Sequence, residues 1–280
     1  MKNVLVFAAP AAAGTLGHPA ILGRSAAAAG LFLAAASGVY LVNDVVDAEA
    51  DRIHPAKMTR PIAAGEISPP AAVGVALALI AGSLVGAAVL AGEPLLAVLG
   101  TYVGITLAYS LALKHVPVVE LACVASGFVL RAVAGGAAAH LAISPWFLTV
   151  TSAGALLLVA GKRTGELHTL GPAVAAHRAV LAAYPEAFLR FVRGVAATVA
   201  ITSYALWAFD RANHLGDLRA DGDDVIVRLS VVPFVIAVLL VELALERGEG
   251  GAPEELFLKN HTLQVLGALC VGLVLLGVYA

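Results

Sequence analysis

Residues 43–65 read NDVVDAEADRIHPAKMTRPIAAG, an island of charge in an otherwise apolar neighbourhood. It holds the acids Asp44, Asp47, Glu49 and Asp51 and the cations Arg52, Lys57 and Arg60. Asp44, Asp47 and Asp51 are spaced i, i+3, i+7. At about 100° per residue they fall within roughly a 60° wedge of one helix face, with Asn43 beside them. Carboxylates this close disfavour joint ionisation unless a cation lies between them. Mg2+ takes such hard oxygen ligands and usually shares them with substrate phosphates. Lys57 and Arg60 would then meet the remaining phosphate charge. The pattern reads as a Mg2+–diphosphate site at the mouth of a membrane cavity, with Asn43, Asp44, Asp47 and Asp51 as metal ligands. The plainer reading is a solvated loop between two membrane helices, but loop charges have no need of one-face spacing.

The composition sets the class. Of 280 residues, 60% are hydrophobic and only 13% charged, and the mean hydropathy is +0.93. These values exclude an ordinary soluble domain and point to an all-α polytopic membrane protein, read as a single transmembrane domain over 1–280. A net charge of −2 gives no attraction to nucleic acid, and none is expected as a partner. Cys123 and Cys270 lie in apolar runs and read as small buried hydrophobes rather than a disulfide or metal pair. No cleavable leader is expected, because Lys2-Asn3 leads straight into VLVFAAPAAAG without a cleavage region.

Apolar runs predict nine transmembrane helices, near 3–17, 25–45, 70–91, 94–113, 117–139, 145–165, 187–209, 226–246 and 260–279. They are expected to surround a central cavity open to the cytoplasmic side. Ser68-Pro69 and Ser144-Pro145 read as a capping residue before a proline at the first helical position. Gly82/Gly86 and Gly100/Gly104 place small residues four apart, a pattern that lets helices approach closely in lipid. With nine spans, most cations from Lys2 to Lys259 fall on the side of the N-terminus, while Arg24, Arg211, Arg219 and Arg228 fall on the other. The positive-inside rule makes the richer side cytoplasmic. A far-side loop at 210–225 carries Asp210, Asp217, Asp221, Asp223 and Asp224 and reads as a solvated turn.

The remaining polar groups gather at the cytoplasmic helix ends. Lys114 ends the fourth segment, and Lys162-Arg163-Thr164-Gly165-Glu166 ends the sixth, with Lys162 and Glu166 at i, i+4. Arg190, Arg193, Arg247 and Lys259 read as snorkelling anchors. Arg131 stands mid-way along an apolar run, where an arginine faces a polar cavity or has a partner. Glu120, eleven residues earlier, falls on nearly the same face. Tyr40 and Tyr109 are candidates to aim hydroxyls into the cavity. His54 precedes Pro55 and reads as part of the motif's helix end, and no histidine spacing suggests zinc.

The pattern Asn43-Asp44-x-x-Asp47-x-x-x-Asp51, continued by HPAKMTRPIAAG, resembles the first aspartate-rich motif of the UbiA superfamily of intramembrane prenyltransferases. Ordinary members carry a second such motif after a later helix. Here the corresponding region reads AGKRTGELHTL, with Lys162, Arg163 and one acid, Glu166. The chain is more similar to the decaprenyl-phosphate phosphoribosyltransferase branch, through KNVLVFAAP, AYSLALKHVPVVELACVASGFVLRAVAGG, SPWFLTVTSAGALLLVAGKR, FLRFV and ALWAFDR. It departs from that branch in three places. Basic and aromatic residues usually precede Lys2-Asn3, Glu120 stands where aspartate is common, and Thr164-Gly165 replace Tyr-Ala.

That resemblance implies an enzyme of the plasma (inner) membrane with its active site facing the cytoplasm. The donor would be phosphoribosyl pyrophosphate, the acceptor a polyprenyl phosphate, and the product a precursor of cell-envelope arabinan. Asp44, Asp47 and Asp51 would be catalytic, holding Mg2+ on the diphosphate with Asn43. Lys57 and Arg60 would add contacts to the diphosphate, Lys162 and Arg163 would take the ribose 5-phosphate, and Lys114 and Arg131 the acceptor phosphate. Lys2, Tyr109, Glu120 and Glu166 complete the expected substrate-binding set. A homo-oligomer is left open. Two other readings stay in view: a UbiA-type transfer from a prenyl diphosphate, and a lipid or anion transporter suggested by Arg131. The first is disfavoured by the Lys162-Arg163 pair, the second by the absence of paired broken helices.

Overall fold

The computed structural model describes residues 2–53, 57–170, 179–218, 224–249 and 253–279. A 3-10 stretch, Lys2–Phe7, leads into α1 (Ala8–Ala12), α2 (Pro19–Val46), α3 (Ala48–Arg52), α4 (Pro69–Ala91) and α5 (Glu93–Leu111). A 3-10 turn, Leu113–His115, precedes α6 (Val119–Ala139), α7 (Pro145–Leu170), α8 (Ala179–Ala182) and α9 (Glu186–Leu218). The chain continues through α10 (Asp224–Leu229), α11 (Val231–Glu246), α12 (Pro253–Lys259) and α13 (His261–Tyr279). Among the described residues there is no strand. Eight stretches are long and apolar enough to cross a bilayer, α10 and α11 together making one of them, where about 20 residues are needed. The chain is therefore a multi-pass membrane protein.

The first expected span differs. Its helical part is Lys2–Ala12, shorter than a crossing. It runs beside the second half of α6: Lys2 lies over the Phe128 ring and Asn3 meets Arg131. Further along, a Cβ on Gly135 would overlap the Val6 carbonyl. Beyond Ala12, Gly14 turns the chain at φ +75. The seventh expected span is longer than its apolar run, because α9 continues to Leu218. Asp210 is thus helical, not part of a loop, while the side chains of Asp217, Asp221, Asp223 and Asp224, like His54, lie outside the described residues.

The helices group into two compact units. The first comprises residues 1–10 and 17–141. Its core joins Val6, Phe32, Val39, Leu95, Leu99 and Tyr102 to the alanines of α6. The second comprises 11–16 and 142–280. There α7 packs on α9 and α11 through Leu157, Ala196, Ala197 and Val238, and Tyr204 stacks on Phe234 with ring centroids 4.0 Å apart. Long apolar side chains such as Leu77, Val85 and Val89 stay exposed. Lipid tails are as apolar as these residues, so helix association there rests on close packing rather than on burial.

Close packing falls on different glycines from those the spacing suggests. A Cβ on Gly82, Gly100 or Gly104 would meet nothing within 4 Å, and of those four only Gly86 packs, against Leu31. Other tight approaches are Gly38 against Ala76 and Ile80, Gly135 against Val6 and Pro10, and Gly161 against Leu245. Four-residue spacing marks a smooth helix face but not which face is covered. The helix starts also differ in detail. Ser68 has the extended backbone of an N-cap but makes no side-chain cap bond, and Ser144 Oγ is buried without a hydrogen-bond partner among the described residues.

Gly38→Ala and Gly135→Ala should each cost ~1–3 kcal/mol through overpacking, read as a lower melting temperature of the purified chain in detergent. Gly82→Ala and Gly100→Ala, where the Cβ has room, should be neutral or stabilise by up to about 1 kcal/mol.

Candidate active site

The acidic wedge forms as its spacing predicts, with one irregularity. α2 ends at Val46, Asp47 is a single turn residue, and α3 resumes at Ala48. The Asp47 amide donates to the Asn43 carbonyl at 2.9 Å and the Asp51 amide to the Asp47 carbonyl at 2.8 Å. These i→i+4 bonds keep helical phase through the break, so Asp44, Asp47 and Asp51 stay on one face.

The chain then folds back on itself. Arg52 Nε donates to the Ala63 carbonyl at 3.3 Å, and Ile62 is buried with Ala48 and Ala72. Gly65, at φ +81, completes the reversal into α4. The return presents Arg60 to the acids: its NH1 donates to Asp44 Oδ1 and to Asp51 Oδ2, each at 2.8 Å. Lys57 Nζ is 3.6 Å from the other Asp51 oxygen. Asp51 is only 2% exposed, so its charge depends on these partners.

Asp47 is met from elsewhere in the unit. Lys114, in the turn after α5, donates to Asp47 Oδ1 at 2.6 Å. Asn43 Nδ2 donates to Asp47 Oδ2 at 3.1 Å. The connection from Lys114 into α6 passes through Val118 at φ +67, a conformation that a β-branched residue rarely adopts. One constellation therefore gathers Asn43, Asp44, Asp47, Asp51, Lys57, Arg60 and Lys114. Among the described residues, no three His, Cys, Asp or Glu side chains converge on one point as a ready metal cage. Each acid faces a cation instead.

Arg131 sits apart, and its surroundings are neutral. Its Nε donates to Asn3 Oδ1 at 2.8 Å, NH1 to the Gly127 carbonyl at 2.5 Å and NH2 to the Tyr102 hydroxyl at 3.0 Å. The guanidinium also lies over the Tyr102 ring, 4.8 Å from its centroid, and over Phe32 at 5.7 Å. Both cation–π contacts and all three nitrogens serve the core of the first unit. Glu120 is fully buried in the first turn of α6, Tyr109 is half-buried in α5, and Lys2 is exposed.

In the second unit, Arg163 is buried and donates to Glu166 Oε2 at 2.8 Å. Glu166 therefore pairs at i, i+3 with Arg163, whereas Lys162 is exposed on α7. Arg193 corrects an expectation. It is no snorkelling anchor but is 1% exposed, hydrogen-bonded to Glu246 and 3.8 Å from Glu242 Oε2. Its Nε and NH1 have no hydrogen-bond partner among the described residues. Exposed Arg190 bridges Glu186 at 3.2 Å and Glu246 at 3.3 Å. The sequence did carry a signal for this network: Glu242 interrupts the apolar run VVPFVIAVLLVELALE, and a carboxylate there needs a cation.

A model of the UbiA prenyltransferase family matches residues 3–213. A decaprenyl-phosphate phosphoribosyltransferase of Corynebacterium glutamicum is 43% identical over 283 residues, spanning 100% of this chain and 83% of that protein. One of Mycobacterium tuberculosis is 42% identical, spanning 95% of this chain and 86% of that protein. Among solved structures, a UbiA homolog from Archaeoglobus fulgidus bound to GPP and Mg2+ superposes with a TM-score of 0.67 at 16% identity, covering 100% of this chain and 99% of that one. At that identity the likeness shows the fold.

Arg193→Met should destabilise the chain by about 1–3 kcal/mol, because it leaves the partly buried Glu242 without its cation. Arg190→Met, at an exposed pair, should cost no more than about 1 kcal/mol. Melting curves of the two variants side by side provide the check.

Proposed function

The chain belongs to the UbiA prenyltransferase family, and on that premise we propose that it transfers 5-phosphoribose from phosphoribosyl pyrophosphate to a polyprenyl phosphate, decaprenyl phosphate in the first instance. The products are decaprenylphosphoryl-5-phosphoribose and diphosphate. The observation that supports this reading most strongly is near-full-length identity of 40–43% to decaprenyl-phosphate phosphoribosyltransferases. The residues agree with it, since a prenyl-diphosphate enzyme of ordinary pattern would put acids where Lys162 and Arg163 stand.

The donor set fits Mg2+. Asp44 and Asp51 each place an oxygen 2.8 Å from one Arg60 nitrogen, so the two oxygens are close enough for one cation to serve both. Both are hard carboxylate donors, and Asp47 adjoins them. Asn43, Asp44, Asp47 and Asp51 are the residues that would hold the metal. When bound, Mg2+ neutralises charge on the diphosphate leaving group.

The chain's own groups do the rest. Lys57 and Arg60 hold the diphosphate as the ribose C1–O bond breaks. An oxygen of the lipid phosphate forms the new bond to C1, and because that phosphate is already anionic no general base is required. Lys114, held by its contact with Asp47, is the cation for this acceptor phosphate. Lys162 and Arg163 take the donor's 5-phosphate, Arg163 with its guanidinium fixed by Glu166. Arg131 acts as a positioning residue, keeping Asn3 and the Tyr102 hydroxyl in place. Catalysis is then positioning and electrostatics. This reading treats residues 1–280 as one functional domain in the plasma membrane, with its chemistry on the cytoplasmic side.

Steady-state kinetics on variants test these roles. Asp47→Ala and Asp51→Ala should each lower turnover by ~100-fold or more, the scale for removing electrostatic stabilisation of a leaving group. Lys162→Gln should raise the KM for the phosphoribosyl donor and leave that for the lipid unchanged. A Lys162→Gln effect confined to the lipid would reverse the assignment, and full Mg2+-dependent turnover in either aspartate variant would remove the metal site.

A further inference from the structure

Charges in the first unit's constellation balance: Asp44, Asp47 and Asp51 face Lys57, Arg60 and Lys114. Arg60 is central to this balance because a single nitrogen, NH1, bridges Asp44 and Asp51. Among the described residues only NH1 of its guanidinium is engaged, and the side chain is partly exposed. We infer that Arg60 is a specificity-determining residue that makes this site take a divalent cation together with a diphosphate and refuse the free cation. The inference rests on reading the constellation as a metal–diphosphate site.

The physical reason is a competition for the same oxygens. A divalent cation entering alone must displace Arg60 from Asp44 and Asp51. The displaced guanidinium then stands beside the metal with no anion to receive it, and like charges so placed repel. A cation that arrives with a diphosphate brings its own acceptors. The freed NH1, with the unengaged Nε and NH2, can donate to phosphate oxygens in the paired geometry that suits a guanidinium. Lys57 has a looser hold on Asp51, at 3.6 Å and with an exposed side chain, so it shares the effect to a smaller degree. Among the described residues Lys114 pairs with Asp47 and with neither Asp44 nor Asp51, so it is not displaced from that pair. By linkage, metal and diphosphate then raise each other's affinity by the same factor.

Removing Arg60's charge must therefore move two affinities in opposite directions. The experiment uses the full chain in detergent, with Mn2+ as a paramagnetic probe read by electron paramagnetic resonance. It is titrated once with Mn2+ alone and once with preformed Mn2+–diphosphate. Relative to the unaltered chain, Arg60→Gln should bind Mn2+ alone about tenfold more tightly and Mn2+–diphosphate about tenfold more weakly, within the usual range of coupling between ligands. Arg60→Lys, which keeps a charge but loses the two-oxygen bridge, should fall between. Lys57→Gln should shift each constant in the same direction as Arg60→Gln does, by less, and it settles the matter if Arg60→Gln does not fold by its melting curve. Unchanged or weaker binding of Mn2+ alone in both charge-removal variants overturns the inference. If the opposed shifts appear but no phosphoribosyl lipid is ever made, the reaction assignment fails and the inference stands. If the lipid is made and the shifts are absent, the inference alone fails.

Discussion

Three carboxylates at the end of one helix face can stay ionised only if cations are brought to them. Much of the first unit's architecture meets that demand. The helical phase is kept through Asp47, so the acids face one way. The chain then reverses, with Ile62 buried against Ala48 and Ala72 as its anchor, and returns Arg60 to bridge Asp44 and Asp51. Lys114 comes from the far end of α5 to meet Asp47. Without that match the buried Asp51 would be the most costly group, since an isolated buried carboxylate is paid for in stability or protonated. The same match would suit the cluster to a cation and a polyanion together, because lysine and arginine side chains that pair with carboxylates also pair with phosphate.

The two units solve the problem of a buried arginine by different means. Arg131 is given neutral acceptors and aromatic faces: Asn3, the Gly127 carbonyl, Tyr102 and Phe32. Arg193 is given carboxylates, Glu242 and Glu246, with Arg190 joining at the exposed end. The first solution leaves the cation with its charge unneutralised but with a hydrogen bond on each nitrogen. The second neutralises it but ties α9 to α11, so its loss leaves the partly buried Glu242 without its cation. Arg163 follows the second pattern on a smaller scale through Glu166, which leaves Lys162 as the exposed cation of that adjoining pair.

Much of this was legible in the residues. The acid spacing gave the one-face wedge, hydropathy gave the eight helical spans, and the ordered motifs gave the family. What stayed hidden has a common cause: partners distant in the chain. Nothing local tells that Lys114 reaches Asp47 or that Asn3 answers Arg131. Arg193 looked like an anchor because its own surroundings are mixed, and only Glu242, placed on another helix, reveals it as buried. The small-residue spacing misled for a related reason. Gly82 and Gly100 make smooth faces, yet nothing packs on them, whereas Gly38 and Gly135 stand in unremarkable alanine-rich runs and take the close contacts. The first segment was judged by hydropathy alone, which counts apolar residues and not where a helix stops, and its helical part ends at Ala12.

The central claim is that the Asp44–Asp47–Asp51 cluster serves transfer of a phosphoribosyl group to a lipid phosphate. Mass spectrometry of the lipid fraction, after incubating purified chain with Mg2+, phosphoribosyl pyrophosphate and decaprenyl phosphate, measures this directly. The account predicts a new lipid heavier by one phosphoribosyl group, formed only while the divalent cation is present and absent after chelation with EDTA. An unaltered lipid from folded protein, with a prenyl diphosphate consumed in its place when one is supplied, would contradict it.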